Sequence, residues 1–409
     1  MENQYTVSCC ICGGGPAGMM LGYLLARAGV TLIVLEKHKD FFRDFRGDTL
    51  HPSTFQLMDE LGLLRSFLKV YHQELQQLKA VYNGKEVTIA DFSHLKVAKP
   101  ILGLMAQWDF LNFLAEKSAP YPGFQLLREA EVTGLIVENE RVQGVKAKRP
   151  GGEVEIRAGL VVGTDGRSSI VRKLSNLPVI NTGAPIDVLW FRLSRKVGDP
   201  GQAFGCFDKG RIMILIDRGD YWQCAYIIVK EGFQEIQARG MEGFHRELAE
   251  VAPFIQDRVS ELAGWGMISL LSVSIDYLEQ WYAEGLLCIG DAAHSMSPIG
   301  GVGINLAIQD AVATANILYR PLLEKRKITL SMLKKIQDRR AFPARIVQKM
   351  QVFIQNGIMQ RKTNIRLQKR LPLFLRLLKR FPILRRIPAR FVGMGIRPEH
   401  IRFPHGDPK

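Results

Sequence analysis

Residues 7–37, VSCCICGGGPAGMMLGYLLARAGVTLIVLEK, decide the fold. Val7 to Ile11 is an apolar run that reads as a buried strand. Gly13-x-Gly15-x-x-Gly18 follows it, and an amphipathic pattern from Pro16 to Ala28 predicts a helix that Gly29 stops. Thr31 to Leu35 predicts a second strand ending at Glu36, 18 residues after Gly18 and next to Lys37. Strand, glycine turn, helix and acid-tipped strand make a dinucleotide-binding unit. Gly13 permits the tight turn, Gly15 lets the backbone approach a pyrophosphate, and Gly18 lets the helix lie close to the sheet. Pro16 and Ala17 open the helix, whose free N–H groups point at the anion. Glu36 can accept hydrogen bonds from ribose hydroxyls. This unit alone does not separate FAD from NAD.

The rest of the chain bounds the answer. At 409 residues, with 47% hydrophobic and 23% charged residues, it is long enough for two lobes and an appendage. The polar start, Met1 to Tyr5, has no signal-peptide pattern, and no apolar run reaches the length of a membrane span. Six cysteines include Cys9 and Cys12, a lone CxxC inside a strand. Neighbouring strand residues face opposite ways, so small buried side chains in a reducing, cytoplasmic setting are expected, with no metal site. The net charge of +15 is concentrated at one end. Residues 320–409 carry 24 Lys and Arg against 4 Asp and Glu, a net of +20, while the other 319 residues carry 31 against 36, a net of −5.

Further along, Ser53 or Thr54 is placed to cap a helix with Phe55, Met58, Leu61 and Leu64 on one face. Arg46 and His51 lie in the polar loop before it, where solvated surface side chains are the competing reading. Residues 78–91 predict a hairpin around Asn83-Gly84. Gln107 precedes a helix expected over Asp109 to Lys117. Strand patterns over 124–162 run into Gly163-Thr164-Asp165-Gly166-Arg167 and a short helix to Arg172. Residues 183–230 predict antiparallel strands rich in aromatics, among them Trp190, Phe191, Phe204, Phe207, Tyr221, Trp222 and Tyr226. Such a stripe is core or pocket wall, and core is the commoner role. A strand over Ile268 to Ile275 is expected to lead back to the first lobe. Leu286 to Ile289 then ends in Gly290-Asp291-Ala292-Ala293-His294, followed by Pro298, Gly300 to Asn305 and a helix from Gly303 to Leu318. This is a second glycine loop at a helix N-terminus, hence a second anion site. Residues 328–370 read as a cationic helix. Pro372, Pro382 and Pro388 can each open a short helix mixing bulky apolar residues with Arg and Lys.

Three loops together, 13–18, 163–172 and 290–305, resemble the single-component FAD-dependent monooxygenases, the group that includes para-hydroxybenzoate hydroxylase. The resemblance covers roughly residues 5–320. It implies an α/β fold with a Rossmann-like FAD-binding domain over 1–77, 101–180 and 278–325. An antiparallel-sheet substrate domain is expected over 78–100 and 181–277, with a basic helical extension over 326–409. By resemblance, Gly13, Gly15, Pro16, Ala17 and Gly18 form the pyrophosphate loop, with Glu36 and Lys37 at the adenosine ribose. Arg46 and Gln107 stand where the family contacts the ribityl and pyrophosphate, and Asp165 and Gly166 belong to a motif tied to FAD and NAD(P)H. Gly290 and Asp291 take the ribityl and phosphate region. Pro298, Gly301, Val302, Gly303, Ile304 and Asn305 lie against the isoalloxazine, and Pro298, Gly300 and Gly301 are the nearest to a catalytic loop. The implied chemistry is hydride from NAD(P)H to tightly bound, non-covalent FAD, O₂ addition at C4a to a hydroperoxide, and hydroxylation or epoxidation of an apolar aromatic, polyketide- or isoprenoid-like molecule. No residue is assigned to substrate activation; His294 is as well explained by loop packing. The halogenase tryptophan motif and lysine are absent from the sequence. A reductase or dehydrogenase of the same fold, and a flavin-binding membrane-docking protein without turnover, are the rival readings. The basic extension either lies on an anionic membrane or packs on the FAD lobe; no nucleic-acid module is present.

Overall fold

β1 (Gln4–Cys12) occupies the middle of the first sheet because its second half has no use for water: Cys9, Cys10, Ile11 and Cys12 are all fully buried. The computed structural model describes residues 4–42, 49–82, 84–200, 204–363 and 372–403, with side chains to 357 in the penultimate segment. After β1 come α1 (Pro16–Arg27), β2 (Leu32–Glu36), β3 (Thr49–Leu50), α2 (Pro52–Glu60), α3 (Leu64–Phe67) and β4 (Gln73–Leu75). The hairpin of β5 (Gln77–Tyr82) and β6 (Lys85–Asp91) leads through β7 (Leu102–Leu104) to α4 (Gln107–Ser118) and β8 (Phe124–Arg128). A meander follows, β9 (Glu131–Glu138), β10 (Arg141–Arg149) and β11 (Gly152–Gly163), then α5 (Ile170–Leu174) and β12 (Val179–Asn181). β13 (Ile186–Ser194), β14 (Phe204–Asp208), β15 (Arg211–Asp217) and β16 (Tyr221–Val229) precede α6 (Phe233–Ala238) and α7 (Gly240–Val251). Short strands β17 (Ser269–Leu271), β18 (Asp276–Leu278), β19 (Tyr282–Ala283) and β20 (Leu286–Cys288) return to the first sheet. The chain then runs through α8 (Gly303–Leu323), α9 (Leu330–Thr363), α10 (Leu373–Arg380) and α11 (Arg386–Met394).

The first sheet has the order β19-β20-β11-β1-β2-β8, with β9 and β10 added beside β11. β20, β11, β1, β2 and β8 are parallel, so loops leave their C-terminal ends on one edge. That edge is where α/β sheets bind ligands. The second sheet has the order β17-β13-β16-β15-β14-β5-β6 and is antiparallel except where β5 meets β14. Its strands alternate between two buried faces, as period-2 geometry requires. Leu189, Phe191, Leu193, Met213, Trp222 and Tyr226 pack under α7 around Phe244 and Leu248. Val188, Trp190, Ile212, Ala225 and Ile227 form the other face, against Ile299 and Val352. The aromatic stripe thus divides: Phe191, Trp222 and Tyr226 are core, while Trp190 and Phe207 look toward the loop after β20. This architecture is the FAD-binding α/β fold expected from the sequence, with a helical C-terminal part.

Two local expectations are corrected. α2 starts at Pro52, with His51 as its N-cap residue and no side-chain cap, because Thr54 turns its hydroxyl to Asn305 Oδ1 at 2.8 Å. Proline at the first helical position needs no N–H acceptor. The strand expected over 268–275 stops at Leu271 because the Val273 N–H donates to the Asp187 carboxylate at 2.9 Å, outside any ladder. The hairpin expected over 78–91 forms as β5 and β6; of the strand patterns expected over 124–162, β9, β10 and β11 form a meander with Asn139 and Glu140 at φ 50° and 60° in its first turn, while β8 pairs parallel with β2. Asn83 lies outside the described residues.

Candidate functional site

Three loops converge at the C-terminal edge of β1, β11 and β20. The first is the turn between β1 and α1. Gly13 has φ +113°, and a Cβ there would stand 2.6 Å from Thr164 O; a Cβ on Gly18 would stand 1.9 Å from Gly13 O. Both glycines are required by protein packing. Gly15 differs, because a Cβ there meets nothing nearer than Thr164 O at 3.9 Å. Space beside Gly15 is open, at the N-terminus of a helix that starts with Pro16 and carries no side-chain cap. The first-turn amides, Ala17 and Gly18 among them, therefore point into a cradle for an anion. Glu36 closes the cradle on one side, accepting from the Gly14 N–H at 3.1 Å and the His38 N–H at 3.0 Å. Lys37 is exposed and lines a shallow cleft with Lys39, Lys148 and Arg149.

The second loop follows β11. Thr164 Oγ1 donates within reach of both Cys12 O at 2.9 Å and Gly13 O at 2.7 Å, tying this loop to the first. Asp165 is engaged locally. Its carboxylate accepts the Ser169 hydroxyl, the Ile170 N–H at 2.7 Å and the Val171 N–H at 3.1 Å, so it starts α5. Burial pushes this carboxyl up, against those hydrogen bonds. Gly166 has φ +82° and turns the chain so that Arg167 reaches back to the third loop. Arg167 Nη2 lies 3.7 Å from Asp291 Oδ2, and Arg167 Nε and Nη1 are buried with no acceptor among the described residues.

The third loop follows β20. Gly290, at φ +62°, is held between α1 and α8: a Cβ would stand 3.2 Å from Ala17 Cβ and 3.3 Å from Ala307 Cβ. Asp291 lies over the start of α8, where a Cβ on Gly303 would come within 4.0 Å of its Oδ1. Val302 is buried, and Gly303 and Ile304 form the first turn of α8. Pro298, Gly300 and Gly301 make the turn before it, with φ +81° at Gly300 and +61° at Gly301. A Cβ on Gly301 would press on Thr49 at 2.8 Å. Asn305 locks this turn to the segment after β2. Its Oδ1 accepts from His51 N and Thr54 Oγ1, both at 2.8 Å, and its Nδ2 donates to Thr49 O at 3.0 Å and Gly301 O at 3.2 Å. Gln107 opens α4, and Arg46 lies outside the described residues.

These residues fit FAD. The cradle at Gly15 has room where a side chain would be, the amides of α1 and α8 supply donors, and two buried nitrogens of the Arg167 guanidinium lack an acceptor among the described residues. A pyrophosphate and a reduced isoalloxazine both carry negative charge that such groups stabilise.

Several residues around the loops carry more than the sequence assigned to them, and Asp310, Arg340, Glu399 and the α9 glutamines were not singled out at all. His51 is buried, not solvated. Its Nδ1 pairs with the Val392 carbonyl of α11 at 2.7 Å. Burial pulls its pKa down to about 4, against the carbonyls of Val392, Gly300 and Gly301. Beneath the third loop lies a buried ionic chain. Asp310 accepts Gly290 N at 3.1 Å, His294 Nε2 at 2.6 Å and Arg340 Nε at 2.9 Å. Glu399 lies 3.4 Å from Arg340 Nη1 and takes Arg339 Nε at 2.6 Å. Burial would raise the Asp310 carboxyl, but the charges of His294 and Arg340 hold it below its ordinary value. Burial would likewise lower His294, but Asp310 outweighs it and holds the imidazole above its ordinary value. His294 therefore packs the loop. On α9, Gln348 donates to Asp276 O and Ser295 O, and Gln351 to Ser297 O and Ile299 O. Gln355, one turn further on the same face, is fully buried with neither amide atom partnered among the described residues.

Comparison with known proteins agrees with this geometry. The FAD binding domain family matches residues 6–350. The 6-methylpretetramide 4-monooxygenase of Streptomyces rimosus is 32% identical over 343 residues, covering 81% of this chain and 79% of that one. The rifampicin monooxygenase of Streptomyces venezuelae is 26% identical over 315 residues, covering 74% of this chain but only 61% of its own length. The solved structure of the anhydrotetracycline hydroxylase OxyS from Streptomyces rimosus superposes with a TM-score of 0.75 at 23% identity, over 96% of this chain and 77% of that one. The chain belongs to the single-component FAD-dependent monooxygenases, and FAD is its cofactor.

Proposed function

We propose that this enzyme uses NAD(P)H and O₂ to hydroxylate or epoxidise an apolar, fused-ring aromatic or polyketide-like molecule held between the Pro298–Gly301 turn and the second sheet. The observation that carries the reading is the composition of that wall. Trp190, Ile212, Ala225 and Ile227 face Ile299 and Val352, and Gln355 extends the α9 face that touches both. An apolar wall with one unpaired amide suits a flat ring system bearing a carbonyl or hydroxyl. The names of the relatives, which act on pretetramide and rifampicin, point to the same substrate class.

FAD supplies hydride acceptance and oxygen activation; the chain's residues bind, orient and exclude water. The amides of Ala17 and Gly18 and the Arg167 guanidinium take the pyrophosphate, and Glu36 takes the ribose. Asp291 holds the ribityl region. The amides at the start of α8 would offer donors to the negative charge that a reduced flavin carries. Neutral His51 and Asn305 hold the Gly300–Gly301 turn from behind. The Gln355 amide fixes the ring system's polar edge. Six buried free cysteines accord with a reducing compartment, which we take to be the cytoplasm.

Anaerobic reduction by NAD(P)H followed by ¹⁸O₂ in the presence of tetracyclic phenols tests the reaction. One ¹⁸O atom in the product is expected; product without label, or flavin that NAD(P)H does not bleach, overturns it. Gln355→Leu is expected to raise KM for the ring substrate about tenfold, the loss of one hydrogen bond, with an unchanged flavin spectrum. An unchanged KM removes Gln355 from the site.

A further inference from the structure

The last described helices leave a bulky apolar stripe in water. α10 has two apolar faces. Leu378 is buried, on the helix that packs against β6. On the outer face Leu373 is 64% exposed, Phe374 54% and Leu377 40%, and Phe381, just past the helix end, is 49% exposed. The turn into α11 adds Ile383 at 64% and Ile387 at 67%. Positions 373, 374, 377 and 381 share one side of a helix, so this is a continuous stripe. Scattered exposed leucines need no explanation, but six large residues within fifteen positions do.

The charge around the stripe is of one sign. Arg376, Lys379, Arg380, Arg386 and Arg390 are exposed beside it. Residues 372–403 hold eight Lys and Arg against one acid, Glu399, which is buried against Arg339 and Arg340. A second copy of the chain set on this face would bring cations against cations. An anionic bilayer accepts both components, because its headgroups attract the cations and its acyl boundary takes up the apolar side chains.

We propose that α10 and the turn into α11 lie in the interfacial plane of an anionic membrane, with Leu373, Phe374, Leu377, Ile383 and Ile387 inserted. α11 carries Val392, whose carbonyl holds His51, so the docked face is one helix away from the flavin loop. A ring substrate that partitions into lipid is thereby presented beside the enzyme.

The test is sedimentation of the full-length holoprotein with phosphatidylcholine vesicles, with and without phosphatidylglycerol. Binding is expected only with the anionic lipid and falls as salt rises. Lys379→Glu with Arg380→Glu is expected to weaken it at least tenfold, since each cation near such a surface strengthens binding about fivefold. Phe374→Asp with Leu377→Asp is expected to abolish it while leaving FAD content and the rate of flavin reduction unchanged. No partition of the native protein into anionic vesicles, or equal binding to neutral ones, overturns the proposal. So does a native dimer that Phe374→Asp converts to monomer with no change in vesicle binding, because a second copy then covers the face.

Discussion

Gly15→Ala separates what a glycine does for the protein from what it does for the cofactor. Gly15 has φ −74° and ψ −175°, a conformation open to alanine. The new methyl meets only Thr164 O, at 3.9 Å. Restricting the unfolded chain stabilises by about 0.4–1 kcal/mol, and alanine is a poorer N-cap residue than glycine by a similar amount, up to about 1 kcal/mol. The apoprotein therefore changes by less than about 1 kcal/mol. Gly18→Ala is the control: its methyl would stand 1.9 Å from Gly13 O and 2.7 Å from Thr164 Oγ1, so the turn must open and the apoprotein weakens. In Gly15→Ala the methyl fills the space at the α1 N-terminus. If two amide-to-phosphate hydrogen bonds are lost, at about 1.5–3 kcal/mol each, FAD affinity falls about 10²- to 10⁴-fold. FAD titration into apoprotein, followed by flavin fluorescence and paired with thermal melting without FAD, reads both quantities. A Gly15→Ala protein that binds FAD as tightly as the native one, or that melts as early as Gly18→Ala, refutes the reasoning.

Two further outcomes are expected. Asp310→Asn keeps the shape of the side chain but leaves the buried Arg340 without its carboxylate and turns an amide donor toward other donors; urea unfolding should show a loss of about 3–5 kcal/mol, and a loss below about 1 kcal/mol would show that Glu399 alone satisfies Arg340. His51 has a folded pKa of about 4 against 6.5 when unfolded, so its contribution is complete above pH 6.5 and declines as pH falls through that window, by up to about 3 kcal/mol. His51→Asn should flatten the stability–pH curve between pH 4 and 6.5, and an unchanged acid limb would place the loss elsewhere.

Much of the fold was legible because glycine leaves a mark. Gly13, Gly18, Gly290 and Gly301 stand where a Cβ would strike protein, and that necessity shows in the spacing of the loops. The hairpin at 77–91 and the meander at 131–163 were legible because their patterns are local. His51 was not, because its burial depends on Val392, 341 residues away. Arg340 and Gln355 sit on α9, whose cationic sequence reads as solvated; the polar residues on its buried face conceal that it packs against the third loop. The basic extension resolves into two behaviours. Ala389, Gly393 and Glu399 pack inward, whereas Leu373 to Ile387 present an outer face. Asp165 shows the limit of motif reading, since its carboxylate is engaged by its own helix start.

The ionic chain from Gly290 through Asp310 and Arg340 to Glu399 also sets an order of events during biosynthesis. Synthesis delivers the N-terminal unit first, yet the loop that receives the flavin is clasped by residues 310, 340 and 399. A nascent chain can build β1, α1 and β2 early, but Asp310 has only His294 beside it until Arg340 emerges, and Arg340 and Arg339 have no acid on their far side until Glu399 does. The buttress under the flavin loop is therefore complete only after the C-terminal strap has arrived. A chain released before Glu399 would leave the buried Arg340 with Asp310 as its one acid, and the half-buried Arg339 with none, among the described residues.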